Sequence, residues 1–469
     1  MATCKECGQE FIPASGGSGL MPSIPIDTCP ECAKVAEAAF HSLLTEATPR
    51  TFITPIIIAL NLAVFVAMLA TRVSFFAPQS DQLLKWGADY GPQTLNGEWW
   101  RLLSSVFVHI GVVHLLLNMW CLWSLGRLAE RMFGNWTFLA IYLLSGLGGS
   151  LASVLWNPSI VSAGASGAVF GVAGGLVAFW YFGKIALPRS IIKRDFVSIL
   201  TFIGYNLAFG FAKEGVDNAG HLGGLLVGLA LGALLHRPLP ARTAPSRMRI
   251  GLIYAGAALV FVLAAAFARK THESLISYRR GITYLENKSN DRAIEEFNRA
   301  IASDPAFAPA QHDLGVAYMR KENYEQAINA FKKCLELNPE VSVRELAYYN
   351  LGRAYLRLSR DEEAISAFNQ SLQLNSQDPK TYFLLGVAYL GKKRYDEAIT
   401  DFKQSLELKP DLVEAQINLG VAYEAKGLHD QAIAAYEEAL KLNPAAEEVK
   451  QELNELKARR TPAAPAGRH

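Results

Sequence analysis

Two regimes of hydrophobic patterning divide this chain. From Thr51 to Leu235 one apolar run follows another, whereas beyond about Ser274 apolar positions recur every three to four residues among many charges. An apolar run of about 20 residues is long enough to cross a bilayer. Such runs stand at roughly 52–71, 112–131, 136–156, 164–182, 196–212, 219–236 and 250–268, which predicts seven spans. Several are interrupted by glycine or polar residues, which a membrane tolerates where neighbouring helices cover the backbone. The first run lacks a small-residue cleavage site, so it is expected to remain as a span and not to be removed as a leader.

The second regime is a repeat. Gly281, Gly315, Gly352, Gly386 and Gly420 are each followed three residues later by tyrosine, at spacings of 34, 37, 34 and 34. Twelve residues after each glycine stands an alanine (Ala293, Ala327, Ala364, Ala398, Ala432), and four later an aromatic (Phe297, Phe331, Phe368, Phe402, Tyr436). Small and large residues in this alternation let paired helices nest, and the units resemble tetratricopeptide (TPR) repeats. The array offers a groove for a protein or peptide partner, with a dimerisation device or spacer as the plainer reading.

Ahead of the first span lies a polar, glycine-rich stretch holding four of the six cysteines as Cys4-x-x-Cys7 and Cys29-x-x-Cys32. Two such knuckles can supply four thiolates to a tetrahedral zinc, and with every position filled by sulfur the site would be structural. No cofactor is expected for catalysis. Composition adds little: 51% of residues are hydrophobic and the net charge is +2, which argues against a nucleic-acid partner.

The candidate chemistry lies in the membrane. Ser166 opens the fourth span within Gly164-Ala165-Ser166-Gly167, and His221 opens the sixth within Ala219-Gly220-His221-Leu222-Gly223-Gly224. One span lies between them, so both beginnings face the same side. Gly167, Gly171 and Gly175 form one stripe of the fourth span, and Gly220, Gly224, Gly228 and Gly232 one stripe of the sixth. Glycines four apart let helices approach closely in lipid. If the stripes pack together, Ser166 and His221 meet at one depth, where the imidazole can take the serine proton. Singly the signals are weak, since a GxSG tetrapeptide in an apolar helix is commonly a packing motif. An intramembrane histidine is retained mainly for function. On the second span, His114 and Asn118 share a face and, with the Ser166 backbone N–H, could form an oxyanion hole, or merely bond helix to helix.

These residues, the HxxxN of His114 and Asn118, the GxSG around Ser166 and the AGHLGG around His221, resemble the rhomboid family over roughly residues 50–240. The resemblance implies Ser166 as nucleophile and His221 as base, without an orienting acid, and His114 and Asn118 in the oxyanion site. It also implies transmembrane segments of other proteins as substrates. Trp100-Arg101 resembles a family mark in the first extramembrane loop, expected to dip into the interface, and His109 resembles a further family position or is simply an interfacial polar residue. A catalytically inactive rhomboid-like binding or scaffold protein is the rival reading, although such proteins typically lack the serine or the histidine.

The expected fold class is all-α. A zinc-ribbon-like module (1–48) precedes a rhomboid-type bundle of six spans (49–240), a basic linker and seventh span (241–272), five TPR repeats with a terminal helix (273–460) and a disordered tail (461–469). The expected localisation is the inner membrane, multi-pass and in contact with lipid. With the N-terminus inside, inner loops carry ten basic residues against four outside. This excess puts the N-terminal module in the cytoplasm and, if the seventh run crosses, the repeats on the outer side.

Overall fold

The computed structural model describes residues 2–4, 7–11, 29–48, 50–183, 189–213, 215–236 and 246–460. The glycine-rich loop between the cysteine pairs, most of the basic linker and the expected tail at 461–469 lie outside the described residues. The chain divides into two units, residues 1–272 and 273–469.

The first unit opens with a two-residue ribbon, β1 (Ala2–Thr3) against β2 (Glu10–Phe11), and a helix α1 (Pro30–Ala47). Among the described residues seven apolar helical rods follow. They are α2 (Ile53–Ala70), then α6 (Gly111–Cys121) running through a π turn at Leu122–Gly126 into α7 (Arg127–Phe133), and α8 (Asn135–Trp156). After these come α9 (Ser166–Phe182), α10 (Arg189–Ala212), α11 (Asn218–Leu235) and α12 (Arg247–Thr271). Five of the seven rods are long and apolar enough to cross a membrane; α9 and the Phe196–Ala212 stretch of α10 are shorter apolar helices. Between α2 and α6, short helices α3 (Ser80–Lys85), α4 (Gly91–Thr94) and α5 (Arg101–Ser104) form a folded loop. Within it β3 (Asp89–Tyr90) pairs antiparallel with β4 (Val161–Ser162), which lies just before α9. The two ribbons are short additions to the expected all-helical bundle, and hydropathy does not announce them.

The rods order themselves by composition. In α9, twelve of 17 residues are buried, Phe179 and Ala173 among them, so this helix is the centre of the bundle. At about 1.5 Å per residue, 17 residues rise about 26 Å, short of a hydrocarbon core of about 30 Å. A central helix of that length does not reach both faces of the slab. Trp136 and Trp156, at opposite ends of α8, are 71% and 84% exposed, as interfacial tryptophans are. The fully buried carboxylate of Glu130 in α7 accepts from the N–H groups of Phe52, Ile53 and Thr54 and from the Thr54 hydroxyl. It satisfies the open N-terminus of α2 where no water would.

In the second unit five antiparallel pairs stack in sequence: α13 (Glu273–Glu286) with α14 (Asn290–Ser303), α15 (Ala308–Arg320) with α16 (Tyr324–Glu336), and α17 (Val341–Arg357) with α18 (Asp361–Leu374). The last two pairs are α19 (Pro379–Gly391) with α20 (Tyr395–Leu408) and α21 (Val413–Ala425) with α22 (His429–Leu442), closed by α23 (Glu447–Arg460). The repeat's composition follows from the packing. A Cβ at Gly281 would lie 2.5 Å from the ring of Phe297, and the same clash recurs in every unit through to Gly420 and Tyr436. Only glycine admits the aromatic ring, and the five recurring alanines are fully buried beneath it. Cys334 occupies the buried small position filled elsewhere by Ala300 and Ala439.

Candidate active site and metal centre

The glycine stripes of α9 and α11 pack face to face. A Cβ at Gly224 would sit on the carbonyl oxygen of Gly167, one at Gly228 on that of Gly171, and one at Gly232 at 2.6 Å from that of Gly175. A third helix joins them, because a Cβ at Gly149 of α8 would lie 2.7 Å from the Gly220 carbonyl oxygen. Backbones this close bring the first residues of α9 and α11 level, as the spacing predicts.

Ser166 and His221 consequently face one cavity of ≈ 330 Å³, whose wall also includes His114, Asn118, Phe202 and Asn206. All four membrane residues singled out from sequence therefore meet in one place. Beside Ser166 and His221 lies a second, water-sized pocket of ≈ 20 Å³ lined by Ser105, Ser150, Ser162 and Asp217.

Each side chain is held by identifiable contacts. α9 begins at Ser166, so the N–H groups of its first turn have no partner within the helix and are available to an anion. The segment before it is pinned from two sides: Gly164 N donates to Ser105 O at 2.9 Å and Ala165 N to His109 Nε2 at 3.4 Å. Gly164 has φ +134°, and a Cβ there would collide with the His114 ring, which fixes this residue as glycine. The His221 ring stacks on Phe170, one turn beyond Ser166, with centroids 4.4 Å apart and planes 6° from parallel. Its Nδ1 is buried without a hydrogen-bond partner. Both carboxylate oxygens of Asp217 are engaged elsewhere, with Ser162 Oγ and Gly220 N, so an aromatic face and not an acid orients the imidazole. Asn118 is 6% exposed and donates one Nδ2 hydrogen back to His114 O at 2.9 Å, leaving its other amide hydrogen for the cavity.

His109 is fully buried, which excludes the interfacial reading. Its Nε2 accepts from Ala165, so the Nδ1 proton faces Phe107 O at 3.3 Å. With one ring nitrogen accepting and the other donating, it is a neutral strut. Arg101 also folds inward. It is 7% exposed and donates to Leu84 O, Ala88 O and Glu98, while its guanidinium covers the ring of the half-exposed Trp100. The Trp100-Arg101 pair thus staples the first loop internally while offering the tryptophan outward. Phe170, Ser162 and Asp89 were not among the residues the sequence marks as functional; only Phe170, one turn from Ser166, lies at a spacing that could have pointed to it.

At the N-terminus the Sγ atoms of Cys4, Cys7, Cys29 and Cys32 all lie within 4.8 Å of one another, and none is in a disulfide. β1, β2 and the tight turn closed by Cys4 N to Gln9 O carry the first pair. The second pair opens α1, with Cys29 as N-cap accepting from Cys32 N. A tetrahedral zinc with Zn–S of about 2.3 Å sets its sulfurs about 3.8 Å apart; Cys7 and Cys29 stand at 3.7 Å. As thiols the four crowd one another, and hydrogen bonding with Cys7 and Cys29 pushes Cys32 well above the usual thiol range. A cation among them would reverse that. The residues present fit a zinc ion.

The first unit is thus a polytopic helical membrane domain with a serine and a histidine on one internal cavity. A family model described as Rhomboid domain matches residues 96–238, and tetratricopeptide repeat models match 276–307, 307–377 and 383–447. The chain is 31% identical over 287 residues to Rhomboid protease GluP of Bacillus subtilis (strain 168), covering 61% of this chain and 55% of that one. It is 36% identical over 224 residues to RHOMBOID-like protein 2 of Arabidopsis thaliana, covering 40% of this chain and 68% of that one. Among solved structures, MamA matches at 27% identity and TM-score 0.34, over 42% of this chain and 99% of that one. The chain spans about half the length of several curated relatives it matches. It belongs to the rhomboid family and carries a TPR array.

Proposed function

We propose that this chain is an intramembrane serine endopeptidase that cleaves transmembrane segments of other membrane proteins. Ser166 Oγ attacks the peptide carbonyl as His221 takes its proton. The Ser166 N–H, Asn118 and His114 then stabilise the oxyanion of the tetrahedral intermediate, and His221 protonates the departing amine. Water activated by the same imidazole resolves the acyl-enzyme. A peptide bond within an intact helix is covered by its neighbours, so the substrate must unwind locally to enter the cavity. The observation that carries this reading is the shared wall: Ser166, His221, His114 and Asn118 line one cavity at the starts of α9 and α11.

The four cysteines hold a structural zinc, and the repeats recruit a protein or peptide partner. The deciding experiment incubates purified protein with a transmembrane substrate. Ser166→Ala and His221→Ala each abolish cleavage, and the double variant is no worse than either. Turnover by Ser166→Ala at the wild-type rate refutes the assignment and leaves an inactive scaffold as the rival.

A further inference from the structure

Ser166 and His221 belong to different helices, so their separation depends on whatever joins the segment before α9 to the start of α11. A side-chain bridge spans that gap. Ser162 of β4, four residues before Ser166, donates its hydroxyl proton to Asp217 Oδ2 at 2.5 Å. Asp217 Oδ1 accepts from Gly220 N at 2.8 Å, and the Asp217 carbonyl accepts from His221 N at 3.1 Å. One residue therefore grips β4 with one carboxylate oxygen and caps the helix bearing the imidazole with the other. The far side of the bridge is anchored too. Ser162 pairs with Asp89 across the β3–β4 ribbon, and Asp89, 1% exposed, accepts from the Thr94 hydroxyl at 2.5 Å.

We propose that Asp217 is a positioning residue for the reaction: through Ser162 it fixes the segment carrying Ser166 against the first turn carrying His221. The inference rests on the proposed dyad. A carboxylate suits the task because bonds to an ionised acceptor are shorter and about twice as strong as neutral ones, and more so away from water. A direct role on the imidazole does not fit, since Nδ1 of His221 is buried without a partner while both Asp217 oxygens point elsewhere. The geometry of the dyad is therefore set one step behind the reacting atoms. Ser162 and Asp217 also line the cavity wall, and losing the bridge misaligns the nucleophile and base.

The test compares Ser162→Ala, Asp217→Asn, Asp217→Ala and the double Ser162→Ala/Asp217→Ala, in full-length protein. Cleavage kinetics are read beside the rate at which a fluorophosphonate labels Ser166. Ser162→Ala leaves the α11 cap intact, so its thermal midpoint stays near wild type while kcat falls about tenfold at unchanged KM. Labelling slows in parallel. Asp217→Asn can still accept from Gly220 N and donate an amide hydrogen to Ser162 Oγ, so it stays within about threefold of wild type, whereas Asp217→Ala does not. The double variant is no slower than Asp217→Ala alone, because both substitutions cut one bridge. An active wild type with Ser162→Ala unchanged in kcat overturns the bridge and leaves the dyad standing. So does a loss confined to KM, or an Asp217→Asn as inactive as Asp217→Ala. A wild type that neither cleaves nor labels at Ser166 overturns the dyad reading and the bridge with it.

Discussion

Gly149 is the sharpest test of how the three central helices set the site. A Cβ at this position of α8 would stand 2.7 Å from the carbonyl oxygen of Gly220, the residue before His221, and 3.4 Å from Cα of Gly167, the residue after Ser166. Ordinary contact needs about 3.4 Å, so Gly149→Ala must drive α11 away by about 0.7 Å. Overpacking of this kind costs about 1–3 kcal/mol. The displacement falls on the residue adjoining the base, and a misplacement of about 1 Å can cost about a hundredfold in rate. A fall in kcat of about ten- to a hundredfold is expected, with a modest loss of thermal stability. Gly175→Ala is the control. Its Cβ would lie 3.5 Å from Gly228 O and 3.6 Å from Ile141, ordinary contacts about two helical turns from the site. Replacing a helical glycine by alanine then gains about 0.5–1 kcal/mol. Both variants are purified and assayed on one transmembrane substrate, with Ser166 labelling as a second readout. If Gly149→Ala cleaves as fast as Gly175→Ala, close glycine packing does not set the distance between Ser166 and His221.

Metal analysis of purified protein should find about one zinc per chain, lost in Cys4→Ser and Cys29→Ser; content unchanged by those substitutions would refute the four-thiolate site. Asp89 lies outside the spans. Burial pushes its pKa up to about 7, with Asp217 adding to the rise and Thr94 and Arg101 opposing it. Because the folded protein holds this proton more tightly than the unfolded chain, whose aspartates titrate near about 3.9, stability is full below about pH 4, falls as pH rises toward 7 and is level above. Asp89→Asn should flatten that slope in thermal unfolding between pH 4.5 and 8, and gain on the order of 2–4 kcal/mol at the alkaline end; an unaltered slope would remove Asp89 as its source. If all seven rods cross and the N-terminus is inside, the repeats lie on the outer side, and a cysteine at Lys392, whose side chain is 41% exposed, should react with an impermeant maleimide once only the outer membrane is opened. Reaction only after the inner membrane is lysed would place the repeats in the cytoplasm.

What the sequence revealed of this architecture follows from the range over which each signal acts. Hydropathy and the glycine stripes are patterns within one helix, so the seven rods and the facing of α9 on α11 could be read from spacing. The recurring glycine, alanine and aromatic of the repeats are equally local, and the structure supplies their reason in the aromatic ring that lies where a Cβ would be. Contacts between distant segments left no such periodicity. The β3–β4 ribbon pairs Asp89 with Ser162, 73 positions on, through two-residue strands too short to alternate. Gly148 and Gly149 stand in plain view in α8, yet nothing in their spacing says that they close on Gly220 and Val227. Glu130 shows the limit most clearly. An acid among apolar residues must find donors in lipid, which announces that a partner exists but not that it is the N-terminus of α2, 76 to 78 residues earlier. The same asymmetry explains the site. Ser166, His221, His114 and Asn118 stood out because polar groups at that depth need a reason, whereas Phe170, Ser162 and Asp217, which help hold them in place, are an apolar ring and two residues ahead of helix starts that could stand without remark; His109 is marked by the sequence, but its partner Ala165 is not. Their roles become visible only once the bonds to Ala165 and Gly220 and the stacking on His221 are drawn.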